Sequence, residues 1–113
     1  EIGIVALSDT IGVSSPTNIT PLFGTLIKEY STIEFGAHFH TTKDAWEEKA
    51  AAAYLNGCRR FDAALKGFGG CPMAKDDLVG NMSTEKLITY FDEDLGLNGL
   101  ELEKSLNLTS TIF

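Results

Sequence analysis

The chain has 113 residues, 43% hydrophobic and 22% charged, enough for one small domain with a core and unlike a disordered chain. Its formal net charge of -7 argues against a nucleic-acid partner. No apolar run reaches the roughly 18 residues of a membrane span, and two cysteines behind a start unlike a signal peptide make no disulfide framework, so a reduced, cytoplasmic setting is expected.

The first strand is expected over about Ile2 to Ser8, an apolar run of the kind buried on both faces of a sheet. After a loop, Thr20 can cap a helix that has Pro21 at its first position and runs to about Tyr30. A second strand follows from about Ile33 to His40. The second helix spans about Lys43 to Leu55, where Asn56-Gly57 ends it; Trp46, Ala50, Ala53 and Tyr54 mark its apolar face. The third strand covers about Arg60 to Leu65. Then come the glycine-rich stretch Gly67-Phe68-Gly69-Gly70-Cys71-Pro72, a helix capped by Ser83 and closed near Gly96, and a short helix over Leu100 to Leu106. The charges of Glu47-Glu48 and Asp92-Glu93-Asp94 read as solvated faces.

Three strand–helix units in succession imply parallel neighbouring strands. The expected fold class is therefore α/β, a partial (β/α)8 barrel holding about three of the eight units plus a C-terminal helix. The chain starts inside a strand without an initiator Met, so residues 1–113 are expected to be the C-terminal fragment of a barrel catalytic domain.

Side chains two apart on a strand point the same way, so His38 and His40 share a face near the C-terminal end of their strand. Barrel enzymes keep their sites at that end. Two such imidazoles can ligate one divalent metal, or they can be structural. Asp9, at the matching end of the first strand, can act as a base, orient a ligand or cap the following loop. Cys71 follows two glycines, where a thiol can be a nucleophile or general acid/base; the alternative is a small buried hydrophobe. Asn81 offers a hard amide oxygen suited to Mg²⁺ or Mn²⁺, or it is a left-handed turn residue. Lys66 can meet an anionic substrate, whereas Arg59 and Arg60 sit at the stability end of their strand. Cys58, at a helix-to-strand turn, reads as structural.

Taken together, Leu7-Ser8-Asp9-Thr10-Ile11-Gly12, His38-Phe39-His40, Gly67-Phe68-Gly69-Gly70-Cys71-Pro72 and Gly80-Asn81 resemble the 3-hydroxy-3-methylglutaryl-CoA (HMG-CoA) lyases of the DRE-type TIM-barrel metallolyase family. The Gly-Gly-Cys-Pro loop is the specific part of the match. The resemblance implies that His38, His40 and Asn81 ligate Mg²⁺ or Mn²⁺, that Cys71 is the catalytic thiol, and that Asp9 is a catalytic carboxylate near the metal. Apart from what the family implies, Lys66, at the C-terminal end of its strand, and Thr10 are expected to contact the acyl-CoA substrate. The implied reaction is retro-Claisen cleavage of HMG-CoA, or of a related 3-hydroxy acyl thioester, to acetoacetate and acetyl-CoA.

The sequence also departs from that pattern. Thr41 stands where the family usually has Asp after the second histidine, and Lys66 stands where a small residue is usual. The segment between Cys71 and Gly80 is about one residue long for the family. The Asp-Arg-Glu signature, which supplies a carboxylate ligand and an arginine, does not occur, so the fragment alone is expected to be inactive. Its open sheet edges would be completed by the rest of the barrel or by a second copy. Two other readings stand beside this one: an aldolase or Claisen-condensing synthase on the same barrel, and a non-catalytic domain that assembles through its sheet edges. For a eukaryotic parent the mitochondrial matrix is a further compartment.

Overall fold

The structure, a computed structural model, describes residues 1–70, 79–91 and 99–112. The sheet is built on β2 (Glu34–Thr41), with β1 (Ile4–Asp9) parallel to it on one side and β3 (Arg60–Phe61) parallel on the other. The register runs from Ile4 opposite Glu34 to Asp9 opposite Phe39. Helix α1 (Pro16–Glu29) connects β1 to β2, and α2 (Trp46–Leu55) connects β2 to β3. These are the parallel βα units that the strand–helix alternation implies.

The core lies between the sheet and these two helices. Phe23 of α1 is fully buried and meets Phe39 of β2 edge-on, with centroids 5.9 Å apart. Ala50 and Ala53 of α2 are also fully buried, so small residues let the helix approach the sheet closely. A large side chain buried this way contributes about 1.5–3 kcal/mol. Cys58 belongs to the same core; its thiol donates to the Arg60 carbonyl at 3.2 Å, and burial pushes its pKa up. It is a structural thiol, as expected.

Several local expectations are corrected. Helix α1 starts one capping signal earlier, at Ser15-Pro16 rather than Thr20-Pro21. The Ser15 amide donates to Asn18 Oδ1 at 2.9 Å, and Pro21 lies inside the helix. Proline at the first position loses no bond, so Pro16 fits best; Pro21 is tolerated at the loss of one ladder bond. Strand β1 is not buried on both faces. Val5 and Leu7 pack on the core, but Ile4, Ala6 and Ser8 are exposed.

The expected third strand is cut short at Phe61, and Leu65–Gly67 forms a 3-10 turn with Lys66 at φ 57°. The cause is a strand that the sequence does not announce. β4 (Gly80–Asn81) pairs antiparallel with β2, and Ala64 turns aside to bridge Ser83. α3 (Thr84–Tyr90) follows, with Ser83 accepting from the Lys86 amide as the expected cap. α4 (Gly99–Ile112) is longer than expected because Leu102, Leu106 and Thr109 form one half-buried stripe. Cys71, the acidic run Asp92-Glu93-Asp94 and the helix end near Gly96 lie outside the described residues.

Candidate functional site

β2 carries His38 and His40 to the C-terminal end of the sheet, on one face, with ring centroids 5.5 Å apart. β4 brings in the third expected residue, because Asn81 is the register partner of His40. The Asn81 Nδ2 donates to the Phe68 carbonyl at 2.7 Å, which orients the amide and leaves Oδ1 as the atom able to ligate. His38 Nδ1 meets Asp62 Oδ2 at 3.2 Å, just beyond the end of β3. A carboxylate on one ring nitrogen fixes the tautomer and frees the other nitrogen for a ligand.

His40 is buried, and its Nδ1 has no hydrogen-bond partner. Burial lowers its pKa and the neighbouring His38 lowers it further, while Asp9 and the Asn81 amide pull the other way; the net shift is down. The ring is thus neutral near pH 7, the form that binds a cation. A buried ring nitrogen without a partner calls for an explanation, and a bound ion is one. Two imidazoles and an amide oxygen suit a borderline or hard divalent ion. These donors fit a metal, as three ligands of a larger set. Among the described residues, no group of three or more His, Cys, Asp or Glu stands close enough to hold an ion.

Asp9 occupies a different position. Its register partner is Phe39, so by alternation it lies on the face opposite His38 and His40. Oδ1 accepts from the amides of Gly12 at 2.9 Å and Val13 at 3.1 Å, and Oδ2 accepts from Ser14 at 2.6 Å. Burial alone would raise its pKa, but the Ser14 side chain, the Ser14 and Val13 amides and Lys49 together bring it below 3.8. This is the loop-capping geometry, and it holds the carboxylate ionised.

The partner of Asp9 is a residue that sequence reasoning passed over. Lys49 of α2 is 3% exposed, with Nζ 3.7 Å from Asp9 Oδ2. In the sequence it reads as part of the charged run after Glu47-Glu48. The signal that could have found it is its helical position, three residues after Trp46 and four before Ala53, within the apolar stripe. Asp62 was missed as well, since nothing in its spacing links it to His38.

Lys66 and Thr10 are both exposed. The Lys66 amide donates to Glu85 Oε2 at 2.9 Å, and its ammonium bonds Ser110 Oγ of α4. With Thr41, Thr42, Lys43, Asn81 and Lys86 it lines a cavity of about 330 Å³; neither histidine lines it, and Asn81 is the one candidate ligand that does. Thr10 lies in the bend after β1, apart from that cavity.

The chain belongs to the HMGL-like family, whose model matches residues 2–112. It is 36% identical over 110 residues to the (R)-citramalyl-CoA lyase of Chloroflexus aurantiacus, covering 97% of this chain and 32% of that protein. To the cytoplasmic HMG-CoA lyase of Rattus norvegicus it is 35% identical over 101 residues, 88% of this chain and 29% of that one. The HMG-CoA lyase structure from Brucella melitensis matches with a TM-score of 0.82 at 26% identity, over 96% of this chain and 39% of that chain. An HMG-CoA lyase from Acinetobacter baumannii, solved with coenzyme A and 3-methylmalate, matches at 0.68 with 38% identity, over 78% and 28% of the two chains.

The parallel sheet and its helices are thus part of the TIM barrel of these lyases, as the sequence pattern implied. The chain spans about a third of the length of the curated relatives it matches. Among the described residues, no helix is long and apolar enough to cross a membrane.

Proposed function

We propose that this chain is the C-terminal part of a divalent-metal-dependent carbon–carbon lyase acting on a 3-hydroxy acyl-CoA thioester, HMG-CoA or citramalyl-CoA. One observation carries the reading. β4 sets Asn81 opposite His40, two residues from His38, at the C-terminal end of a parallel strand. The donors thus gather where barrel enzymes keep their chemistry.

In this reading His38, His40 and Asn81 hold Mg²⁺ or Mn²⁺, and the missing carboxylate ligand comes from another part of the barrel. An ion held by these residues would supply Lewis-acid polarisation of the substrate's tertiary hydroxyl. Asp62 keeps the His38 ring in its ligating tautomer. Asp9, held ionised by the amides of Gly12, Val13 and Ser14 and paired with Lys49, caps the loop after β1 beside the strand end that carries His40. Thr10 and Lys66 contact the acyl-CoA substrate at the rim. The hydroxyl proton would pass to a general base as the carbon–carbon bond breaks and the keto product leaves; the Cys71 thiol would give its proton to the thioester enolate, forming acetyl-CoA, and its thiolate would regain a proton from that base.

The test is to assay the complete barrel polypeptide on HMG-CoA and citramalyl-CoA with Mn²⁺. Cys71→Ser is expected to cut product formation by about 10²–10⁴-fold, the usual worth of a positioned proton donor. Indifference to the substitution would favour a condensing synthase, and no cleavage of either thioester by the wild type would end the proposal.

A second prediction concerns Gly69, whose φ of +85° is in the left-handed region. A Cβ there would stand 2.9 Å from Asn81 Nδ2. Gly69→Ala is therefore expected to push the amide aside and weaken Mn²⁺ binding about tenfold or more, as lost orientation of a ligand does. Unchanged affinity in a Mn²⁺ titration would remove Asn81 from the ligand set.

A further inference from the structure

We infer that Lys49 is a positioning residue of this site, its buried ammonium fixing the backbone of His40 and the Gly12–Ser14 loop that Asp9 caps. The inference rests on the reading of His40 as a ligand, which gives the held backbone its purpose.

A lysine is costly in that place. Lys49 lies in the apolar stripe of α2, against fully buried Ala50 and Ala53, and is itself 3% exposed. Lysine is almost never so buried unless its charge is answered. A Leu or Met would fill the same helix face with no charge to desolvate, so packing does not explain the cation.

Its acceptors do. Nζ donates to the His40 carbonyl at 3.0 Å and to the Gly12 carbonyl at 3.2 Å, and stands 3.7 Å from Asp9 Oδ2. These groups belong to three separate segments: the end of β1, the loop after it, and the end of β2. One ammonium ties all three to α2. Asp9 reaches the same loop from the other side through the amides of Gly12, Val13 and Ser14. Loop and strand end are thus clamped on both amide and carbonyl sides. The His40 carbonyl is the anchor point beside the ring that would ligate, so the clamp sets where that ring stands.

The test uses the full chain with Lys49→Met, which keeps the stem and removes the charge, and Lys49→Arg, which keeps the charge. Two readouts are taken: amide hydrogen exchange at Gly12, Val13 and Ser14, and the Mn²⁺ dissociation constant from electron paramagnetic resonance. Lys49→Met is expected to speed exchange at these three amides by about tenfold more than in α2, and to weaken Mn²⁺ by about 10–100-fold. Lys49→Arg should recover most of both effects.

Exchange that rises evenly over loop and core, or unaltered Mn²⁺ affinity in Lys49→Met, would overturn the proposal. If the wild type binds no Mn²⁺, the ligand reading of His40 falls, while the exchange pattern still decides whether Lys49 clamps the loop. Should Lys49→Met fail to fold, Lys49→Gln carries the same comparison.

Discussion

His40→Ala is expected to abolish Mn²⁺ binding and to lower the cleavage rate of the complete enzyme by about a thousandfold or more. Polarisation of the reacting oxygen by a metal is worth several kcal/mol, and each 1.4 kcal/mol is about a factor of ten in rate. The effect should be large because the buried His40 Nδ1 has no hydrogen-bond partner and the net shift of the ring's pKa is down, which leaves it neutral and able to take an ion. Folding should survive, since a neutral buried ring is replaced by a small apolar side chain and β2 keeps its pairing with β1 and β3. Asp62→Asn is the matched control. It leaves all three ligands in place but weakens the hold on His38, and so should cost about 10–100-fold in metal affinity. Wild-type Mn²⁺ affinity in His40→Ala would sink the metal site. An equal loss in both variants would instead mean that orientation of His38, not donation by His40, governs binding.

What the sequence revealed and what it hid follow from the range of the contacts. The parallel units were legible because each is local: an apolar run, a capping residue and a glycine stop lie within about a dozen residues of one another. His38 and His40 were legible as a pair because strand alternation alone puts them on one face. The meeting of Asn81 with His40 was reached only through family resemblance. It depends on a two-residue strand returning antiparallel long after β2 has ended, and so short a strand has no periodicity to read. The same strand shortens β3, which the apolar run Arg60 to Leu65 could not foretell. The sequence reading started α1 at Thr20-Pro21, and the like signal at Ser15-Pro16, where the helix begins, was passed over. Lys49 was hidden by its neighbours: after Glu47-Glu48 a lysine reads as solvent-facing, although its helical phase places it among the alanines. Asp9 kept three readings at the sequence level: base, ligand orienter and loop cap. The loop amides supply the acceptor geometry for capping, and the register sets it on the side of the sheet away from the histidines.

That placement of Asp9 leads to the largest stability effect expected in the chain. Asp9→Asn should destabilise the fold by roughly 3–5 kcal/mol at pH 7, because it leaves the buried Lys49 ammonium without its counter-charge. The new amide nitrogen would also face either Lys49 or the Ser14 N–H, setting donor against donor. Against a total of about 5–15 kcal/mol, this is a change easily read by urea unfolding followed at the single tryptophan, Trp46. The pH dependence has a definite sign. The folded pKa of Asp9 lies below its ordinary 3.8, so the unfolded chain binds the proton first as pH falls. The stability it contributes is present above about pH 4 and is lost as pH drops through the folded value. Wild type should therefore lose stability over that acidic range, and Asp9→Asn should show a flatter curve. Asp9→Asn with Lys49→Met should be less destabilised than the two single changes summed, since removing both charges leaves neither stranded. If Asp9→Asn unfolds at the wild-type urea midpoint at pH 7, or the double change is simply additive, the pair is not coupled and the loop is held by backbone geometry alone.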